Sequence, residues 1–334
     1  MNSASQIKDQ FGRVHDYLRI SLTERCNLRC FYCMPAEGIE LSEKSHLMSH
    51  EEVIAIAKTF VEMGVKKIRL TGGEPLIKKN IEKIITELTQ LPINLGITTN
   101  GILLDNYFEL FKTSGVKDIN ISLDTLDKKK FEEITRRDYF DRVISNINLY
   151  EANGFNVKIN NVIIKDVNDN EINDFIEFTK DKNVAIRFIE FMPFDGNKWS
   201  TEKVITLNEI LSAAEKKYGS ENIINLKSKK NGTAKNFQIK GYKGSFGVIS
   251  TVSNPFCDSC NRIRLTANGR IKNCLFSTSE TNLLTPLRNG EDIKSIIMDG
   301  IYHKKQVRGG MTSDKDFFDP EKNANNRTMI AIGG

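Results

Sequence analysis

No stretch of this chain approaches the roughly 18 to 20 uninterrupted apolar residues of a membrane-spanning helix. Its amino terminus, MNSASQIKDQFGR, also lacks the apolar core of a signal peptide. A large charge imbalance is missing too. The 48 Lys and Arg against 43 Asp and Glu leave a formal +5, too mild to mark a nucleic-acid binder but suited to a local pocket for phosphate or carboxylate. There is no long repeat, coiled coil or low-complexity tract. What remains is a globular chain of 334 residues, 39% hydrophobic, long enough for one large or two ordinary domains. These absences predict a cytoplasmic protein with neither a membrane nor a nucleic acid as partner. In a reducing compartment, clustered thiols serve as metal ligands or catalytic groups more often than as disulfides.

Cysteine is scarce but concentrated. All six fall into two sets, Cys26-x3-Cys30-x2-Cys33 and Cys257-x2-Cys260-x13-Cys274, with none left over. The first set follows an alternating segment, DYLRISLT (16 to 23), and precedes SHEEVIAIAKTFVEMG, where Ser49 and Glu52 form a capping box, Val53, Ile56, Ala57 and Phe60 repeat at helical spacing and Gly64 is the stop. This strand, loop and helix unit recurs through VAIRFIEFM (184 to 192), giving six strands alternating with five helices. The pattern predicts a parallel sheet with right-handed crossovers, either doubly wound or an incomplete barrel. After about residue 195 the rhythm breaks, which divides the chain into 1–195 and 196–334. TLNEILSAAEKKYG reads as a helix and KKNGTAKNFQIKGYKGSFGVIS as a hairpin or small sheet. The polar TSDKDFFDPEKNANNR reads as a mobile approach to the carboxyl terminus.

Three thiolates can hold three irons of a [4Fe-4S] cube and leave the fourth iron open to another ligand. The first cysteine loop follows strand one, at the sheet edge where parallel α/β folds place their chemistry. A zinc site completed by histidine is the alternative, although neither His46 nor His50 has zinc-knuckle spacing. In FCDSCNRIRLTANGRIKNCLFS (256 to 277), Arg262 and Arg264 alternate on a strand beside the second set, ahead of an Asn-Gly hairpin. A zinc ribbon with two solvated arginines competes there with a nucleotide clamp.

C-x3-C-x2-C with an aromatic before the last Cys resembles the signature of the radical S-adenosylmethionine (SAM) superfamily, and TGGEP (71 to 75) is similar to its GGEP motif. From FGRVHDYLRISLTERCNLRCFYCMP, through NRIRLTANG, to the terminal IGG, the chain resembles the GTP 3′,8-cyclase family of molybdenum cofactor biosynthesis. The resemblance implies an incomplete (βα)6 TIM-like barrel with a carboxyl-terminal iron-sulfur domain. It also implies two [4Fe-4S] clusters and SAM, whose deoxyadenosyl radical takes the C3′ hydrogen of GTP before the ribose closes on C8. Further implications are a flavodoxin-like or other low-potential electron donor, a homodimer, and cyclic pyranopterin monophosphate synthase as the next enzyme.

Carried over residue by residue, the resemblance assigns GTP contacts to Arg19, Arg69, Thr98, Lys165 in NNVIIKDVND, Arg262 and Arg264, with Lys67 and Arg187 as additions. It assigns SAM contacts to Tyr32, Gly73, Ser122 and Met192, and the clusters to Cys26, Cys30, Cys33, Cys257, Cys260 and Cys274. Most of these positions are expected near the carboxyl ends of strands, converging on one barrel mouth. By composition, Gly333 and Gly334 are a frayed end; in the family this double glycine enters the active site, beside Arg19, Arg262 and Arg264. The family's Lys-x-x-x-His segment is replaced here by KKQVRGGMTSDKDFFDP. The rivals are a peptide-modifying radical SAM enzyme, which usually carries more carboxyl-terminal cysteines, and a noncatalytic metal scaffold that binds nucleotide.

Overall fold

The computed structural model describes residues 6–34, 38–227, 230–319 and 326–333. Six parallel strands run in sequence order: β1 (Tyr17–Ser21), β2 (Lys67–Thr71), β3 (Asn94–Thr99), β4 (Asp118–Ser122), β5 (Asn156–Ile163) and β6 (Ala185–Glu190). Helices α1 (His50–Glu62), α2 (Ile81–Leu88), α3 (Phe108–Ser114), α4 (Lys128–Thr135), α5 (Phe140–Ala152) and α6 (Ile172–Glu177) make the crossovers. The capping box of α1 is present, with the Glu52 amide donating to Ser49 Oγ at 3.2 Å and the Ser49 amide donating to Glu52 Oε2 at 2.7 Å. Five helices were the expectation; the β4 to β5 crossover instead holds two. Asp127 starts α4 by accepting from the Lys130 amide at 2.7 Å, and Arg136 ends it in the left-handed region at φ 59°.

Alternation decides what each strand face does. Leu18, Ile20, Ile68, Leu70, Ile97, Ile119, Ile121, Ile159, Ile186 and Phe188 are buried in one continuous core. Their neighbours in sequence turn to the other face. Strands β1 and β6 are five positions apart, roughly 24 Å in a flat sheet, yet Arg187 on β6 feels the charges of Tyr17 and Arg19 on β1. The sheet is therefore curled into a partial barrel.

The carboxyl-terminal half extends this sheet at both edges. On one side β9 (Ser245–Ile249) runs parallel to β6, with β8 (Lys235–Ile239) and β7 (Ile223–Leu226) antiparallel beyond it. On the other, β10 (Arg262–Leu265) runs parallel to β1, pairing Tyr17 with Arg262 and Arg19 with Arg264. Beyond it lie β11 (Arg270–Lys272) and β12 (Thr281–Asn282). The expected hairpins are present, and α7 (Leu207–Tyr218) starts on a capping box of Thr206 and Glu209. The remaining helices are α8 (Leu284–Arg288), α9 (Lys294–Tyr302), α10 (Asp314–Phe318) and α11 (Met329–Ile332).

The segment expected to be mobile is built in where it is described. Phe317 on α10 is fully buried, its ring edge-on to Phe276 at 4.8 Å and under the Arg308 guanidinium at 4.6 Å. The Arg327 guanidinium pairs with Glu280 at 2.6 Å. One buried aromatic residue outweighs its polar neighbours. Replacing a buried Phe by Ala costs about 3 to 5 kcal/mol, so Phe317→Ala is expected to lower the unfolding midpoint markedly in a denaturant titration. An unchanged midpoint would show that the packing around Phe317 is dispensable.

Candidate active site

Inward-facing alternation assembles a polar barrel lumen, layered by position along each strand. Its deepest layer holds Tyr17, Lys67, Asp118 and Arg262, at the amino starts of β1, β2, β4 and β10. The next, the third position of each strand, holds Arg19, Arg69, Asn120, Lys158, Arg187 and Arg264; a third, the fifth position and nearer the carboxyl ends, holds Ser21, Thr71, Thr98, Ser122 and Asn160. A barrel interior is ordinarily filled by branched aliphatics; here seven cations face one carboxylate. Arg69 donates from Nε to the Tyr17 hydroxyl at 2.8 Å and from Nη1 to the Ile97 carbonyl at 2.7 Å. Gly96 makes room for that guanidinium, since a Cβ there would lie 2.9 Å from Arg69 Nη2. Asp118 accepts from Lys67 Nζ at 3.4 Å, and the same ammonium stands 5.2 Å over the Tyr17 ring.

Crowded cations shift the charge states of this layer. Burial alone would raise the Tyr17 phenol, but Arg69, Arg19 and Lys67 bring it down to about 7. Burial, with neighbouring arginines, lowers Arg187 to about 10 and Arg264 to about 9, and burial beside Arg187 lowers Lys158 to about 8. Arg187 Nε, Thr98 Oγ1, Asn120 Oδ1 and Asn160 Oδ1 are buried without a hydrogen-bond partner. Such atoms are costly unless a ligand satisfies them, so this lumen fits a polar ligand that brings donors as well as acceptors, and its cations favour an anionic one.

The first cysteine loop sits above the third layer. Cys26, Cys30 and Cys33 line a cavity of about 210 Å³, together with Tyr32, Gly73, Thr98, Ser122 and Met192. The Leu28 amide donates to Cys26 Sγ at 3.4 Å and Asn100 Nδ2 approaches it at 3.8 Å. Burial pushes all three thiols up, Cys33 to about 12, so in this pocket it is a metal that would hold them as thiolates. The Tyr32 hydroxyl donates to Asp124 Oδ2 at 2.6 Å, and Asp124 Oδ1 accepts from the Val162 amide at 2.8 Å. The glycines of TGGEP have a reason in the protein itself. A Cβ at Gly73 would lie 2.1 Å from the Arg25 carbonyl oxygen, inside the cysteine loop.

The second set lies at the other end of the barrel. Cys257 and Cys260 precede β10, and Cys274 follows β11, which runs back antiparallel. Two three-cysteine sets therefore face the lumen from its opposite ends, with the cations between. Among the described residues, no three His, Cys, Asp or Glu side chains converge as one zinc ion requires. The chemistry of three thiols at each end fits a cluster there. Burial would raise the Cys260 thiol, but Lys304 and Arg262 bring it down to about 6. The Arg262 guanidinium stands 4.8 Å over the Phe256 ring.

The assigned residues thus divide. Thr98, Ser122, Gly73, Tyr32 and Met192 converge at the carboxyl mouth. Arg19, Lys67, Arg69, Arg187, Arg262 and Arg264 do not; they lie in the middle and at the amino ends of their strands, Arg262 and Arg264 because β10 enters the sheet parallel to β1. Lys165 is exposed in the turn after β5, its amide donating to the Lys203 carbonyl. The lysine of β5 that reaches the lumen is Lys158, seven positions earlier and on the inward face of the strand. Inward alternation in NVKINNVII was the signal for it. Glu74 was also missed: it is fully buried and accepts from the Asn100 amide at 2.7 Å, Thr99 Oγ1 at 2.8 Å and the Leu76 amide at 3.0 Å, and burial raises it to about 7. Glu190 similarly holds the Val252 and Ser253 amides at 2.7 and 2.9 Å. Gly333 accepts from Arg264 Nη1 at 3.1 Å; Gly334 lies outside the described residues.

Known proteins resemble this chain. The Radical SAM superfamily model matches residues 20–179 and the Molybdenum Cofactor Synthesis C model residues 184–309. The mitochondrial GTP 3′,8-cyclase of Arabidopsis thaliana is 48% identical over 98% of this chain and 83% of its own length. GTP 3′,8-cyclase of Listeria monocytogenes is 44% identical over 90% of this chain and 91% of its own. Human molybdenum cofactor biosynthesis protein 1 is 42% identical over 98% of this chain, which spans only 51% of that protein. Among solved structures, Streptococcus suis SuiB bound to S-adenosylmethionine shares the fold, with a TM-score of 0.62 at 17% identity over 88% of this chain and 69% of that one. The chain belongs to the GTP 3′,8-cyclase family of the radical SAM superfamily.

Proposed function

We propose that this chain converts GTP to (8S)-3′,8-cyclo-7,8-dihydroguanosine 5′-triphosphate, the first step of molybdenum cofactor biosynthesis, as the names of its relatives suggest. The observation that carries the reading is the cationic lumen held between two three-cysteine sets. When bound, a [4Fe-4S] cluster on Cys26, Cys30 and Cys33 with SAM would supply the electron and the hydrogen-abstracting power, and a second cluster on Cys257, Cys260 and Cys274 an open coordination position for the purine.

The protein's own part is binding and orientation. Tyr32, fixed by Asp124, lines the SAM end with Gly73, Ser122 and Met192. Arg19, Lys67, Arg69, Lys158, Arg187 and Arg264 neutralise a triphosphate, while the unfilled Thr98 and Asn160 atoms face the boundary between the two ligands. Arg262, over Phe256, guards the purine end. Met329 and Ile330 of α11 close the cavity wall against water. Residues 1–195 would thus serve radical generation and supply most of the triphosphate contacts, and 196–334 would add the second cysteine set, Arg262, Arg264 and the tail. A low-potential, flavodoxin-like donor, a homodimer, transfer of the product to cyclic pyranopterin monophosphate synthase and a cytoplasmic location complete the reading. Among the described residues no helix is long and apolar enough to cross a membrane.

Anaerobic incubation with GTP, SAM and dithionite tests it. Mass analysis is expected to show 5′-deoxyadenosine and a cyclised isomer of GTP; iron-loaded protein that cleaves SAM yet leaves GTP intact would overturn the assignment. The two lysines of the β5 region give a sharper check. A hydrogen bond to a charged group is worth about 1.5 to 3 kcal/mol, and about 1.4 kcal/mol is a factor of ten. Lys158→Ala is therefore expected to weaken GTP binding ten- to a hundredfold in calorimetry, and Lys165→Ala to leave it unchanged. The reverse ranking would place the substrate outside the lumen.

A further inference from the structure

Lys304 follows α9 and is 3% exposed. Its Nζ donates to the Arg262 carbonyl at 2.7 Å and stands 3.4 Å from Cys260 Sγ. Among the described residues no carboxylate pairs with it; the charged groups it feels most are Cys260, Cys274, Arg13 and Arg262, and His15 feels it in turn. A buried ammonium without a counter-ion is strongly disfavoured, so Lys304 is best accommodated as a cation by an anion held at Cys260 and Cys274. Nearby donors act in the same sense. The Arg308 amide approaches Cys257 Sγ at 3.5 Å, and Arg13 Nη1 donates to the carbonyls of Cys257 at 2.9 Å and Gln306 at 2.8 Å.

The first cysteine set is housed differently. Among the described residues no cationic side chain donates to its sulfurs; Asn100 and the Leu28 amide serve Cys26, and the Asp124 carboxylate lies beside Cys30 and Cys33. Arg29 is felt by Cys26 but does not donate to its sulfur, so the first set has no counterpart of the Lys304 contact at Cys260.

We propose that Lys304 is the buried counter-charge of the second cluster, a positioning residue that fixes Cys260 against the Arg262 strand and makes this cluster easier to reduce than the first. The inference rests on the reading that Cys257, Cys260 and Cys274 hold a cluster. Three thiolates outweigh the 2+ core of a [4Fe-4S] group, so it is anionic and gains further negative charge when one electron enters. A cation fixed at one of its sulfurs favours the reduced form more than the oxidised one, and second-shell donors of this kind tune a metal site. The electron is retained more readily at the substrate end, while the SAM end keeps the stronger reductant.

The test uses the full chain with Cys26, Cys30 and Cys33 all changed to Ala, so that one cluster remains, with Lys304 kept or changed as K304M or K304R. Iron content and an EPR-monitored titration with dithionite are the readouts. The parent background is expected to hold iron, K304R to keep its midpoint, and K304M to be at least tenfold harder to reduce, about 59 mV for one electron. An identical midpoint in K304M overturns the role of Lys304 while leaving the cluster in place. No iron in the parent background overturns the second cluster itself. Should K304M lose iron, retention by K304R supports the need for charge at this position, and loss from both refutes it.

Discussion

Cys33→Ala protein, reconstituted anaerobically, is expected to form no 5′-deoxyadenosine while keeping about half of the parent iron, because each thiolate holds one corner of its own cube and the other set is remote. The geometry makes the effect near-total. Cys33 lies in a loop whose position depends on short backbone contacts, with the Cys33 and Met34 amides both donating to the Cys30 carbonyl at 3.0 Å. Asp124 and Tyr32 are already hydrogen-bonded to each other at 2.6 Å, so the nearest oxygen donors are engaged and do not substitute for the missing sulfur. GTP binding is expected to persist, since the lumen cations belong to other layers. Iron analysis, SAM cleavage and GTP calorimetry on one sample separate these outcomes. Deoxyadenosine formation at the parent rate would remove Cys33 from the ligand set, and loss of all iron would show that the two ends of the barrel do not assemble independently.

Local pattern made part of this legible in the sequence. The spacing of Cys26, Cys30 and Cys33 is short-range, and the alternation of Leu18 and Ile20 with Tyr17, Arg19 and Ser21 separates core from lumen on β1 without any knowledge of its neighbours. Hidden features depend on partners distant in sequence. Nothing in NRIRL says that it pairs parallel with β1, yet that pairing of Arg264 with Arg19 puts the arginines deep in the barrel and the second cysteine set at its amino end. Likewise SFGVI reads as half of a hairpin, and only its register with β6, Ala185 opposite Ser245, shows that the barrel sheet continues into the second half. Lys165 and Lys158 are equally basic; strand register alone decides which one faces a ligand. Phe317 was masked by composition, because a polar segment with one deeply buried ring averages to a solvated tail. Glu74 stood in the quoted TGGEP, but its task of tying the β2 turn to the end of β3 appears only when both strands are side by side.

Deleting Gly333 and Gly334 is expected to leave iron content and SAM binding intact while cutting cyclised product at least a hundredfold. Gly333 is buried within the partial barrel, not frayed from it, with φ at 85°. A Cβ there would lie 2.7 Å from Thr71 Oγ1 and 2.8 Å from Ser21 Cβ, both in the third layer of the lumen. Its carbonyl takes the Arg264 Nη1 donor at 3.1 Å. The tail therefore connects the SAM side of the lumen to the arginine layer, filling a space into which no bulkier residue fits. Removing it frees Arg264 to swing and opens the lumen to water, so GTP loses its orientation although most of its charge partners remain. Deoxyadenosine should consequently still form, slowly and without matching loss of GTP. The same uncoupling is expected of Arg264→Ala, with an added ten- to a hundredfold loss of GTP affinity from the missing charged donor. Gly333→Ala provides a control for the deletion: the chain keeps its length, so any loss of coupling comes from the crowded Cβ and the φ it resists. The decisive quantity is the ratio of cyclised product to deoxyadenosine, measured by mass spectrometry across the three variants. If that ratio stays at the parent value in the deletion, the tail contributes nothing to orientation and Arg264 acts on GTP without it.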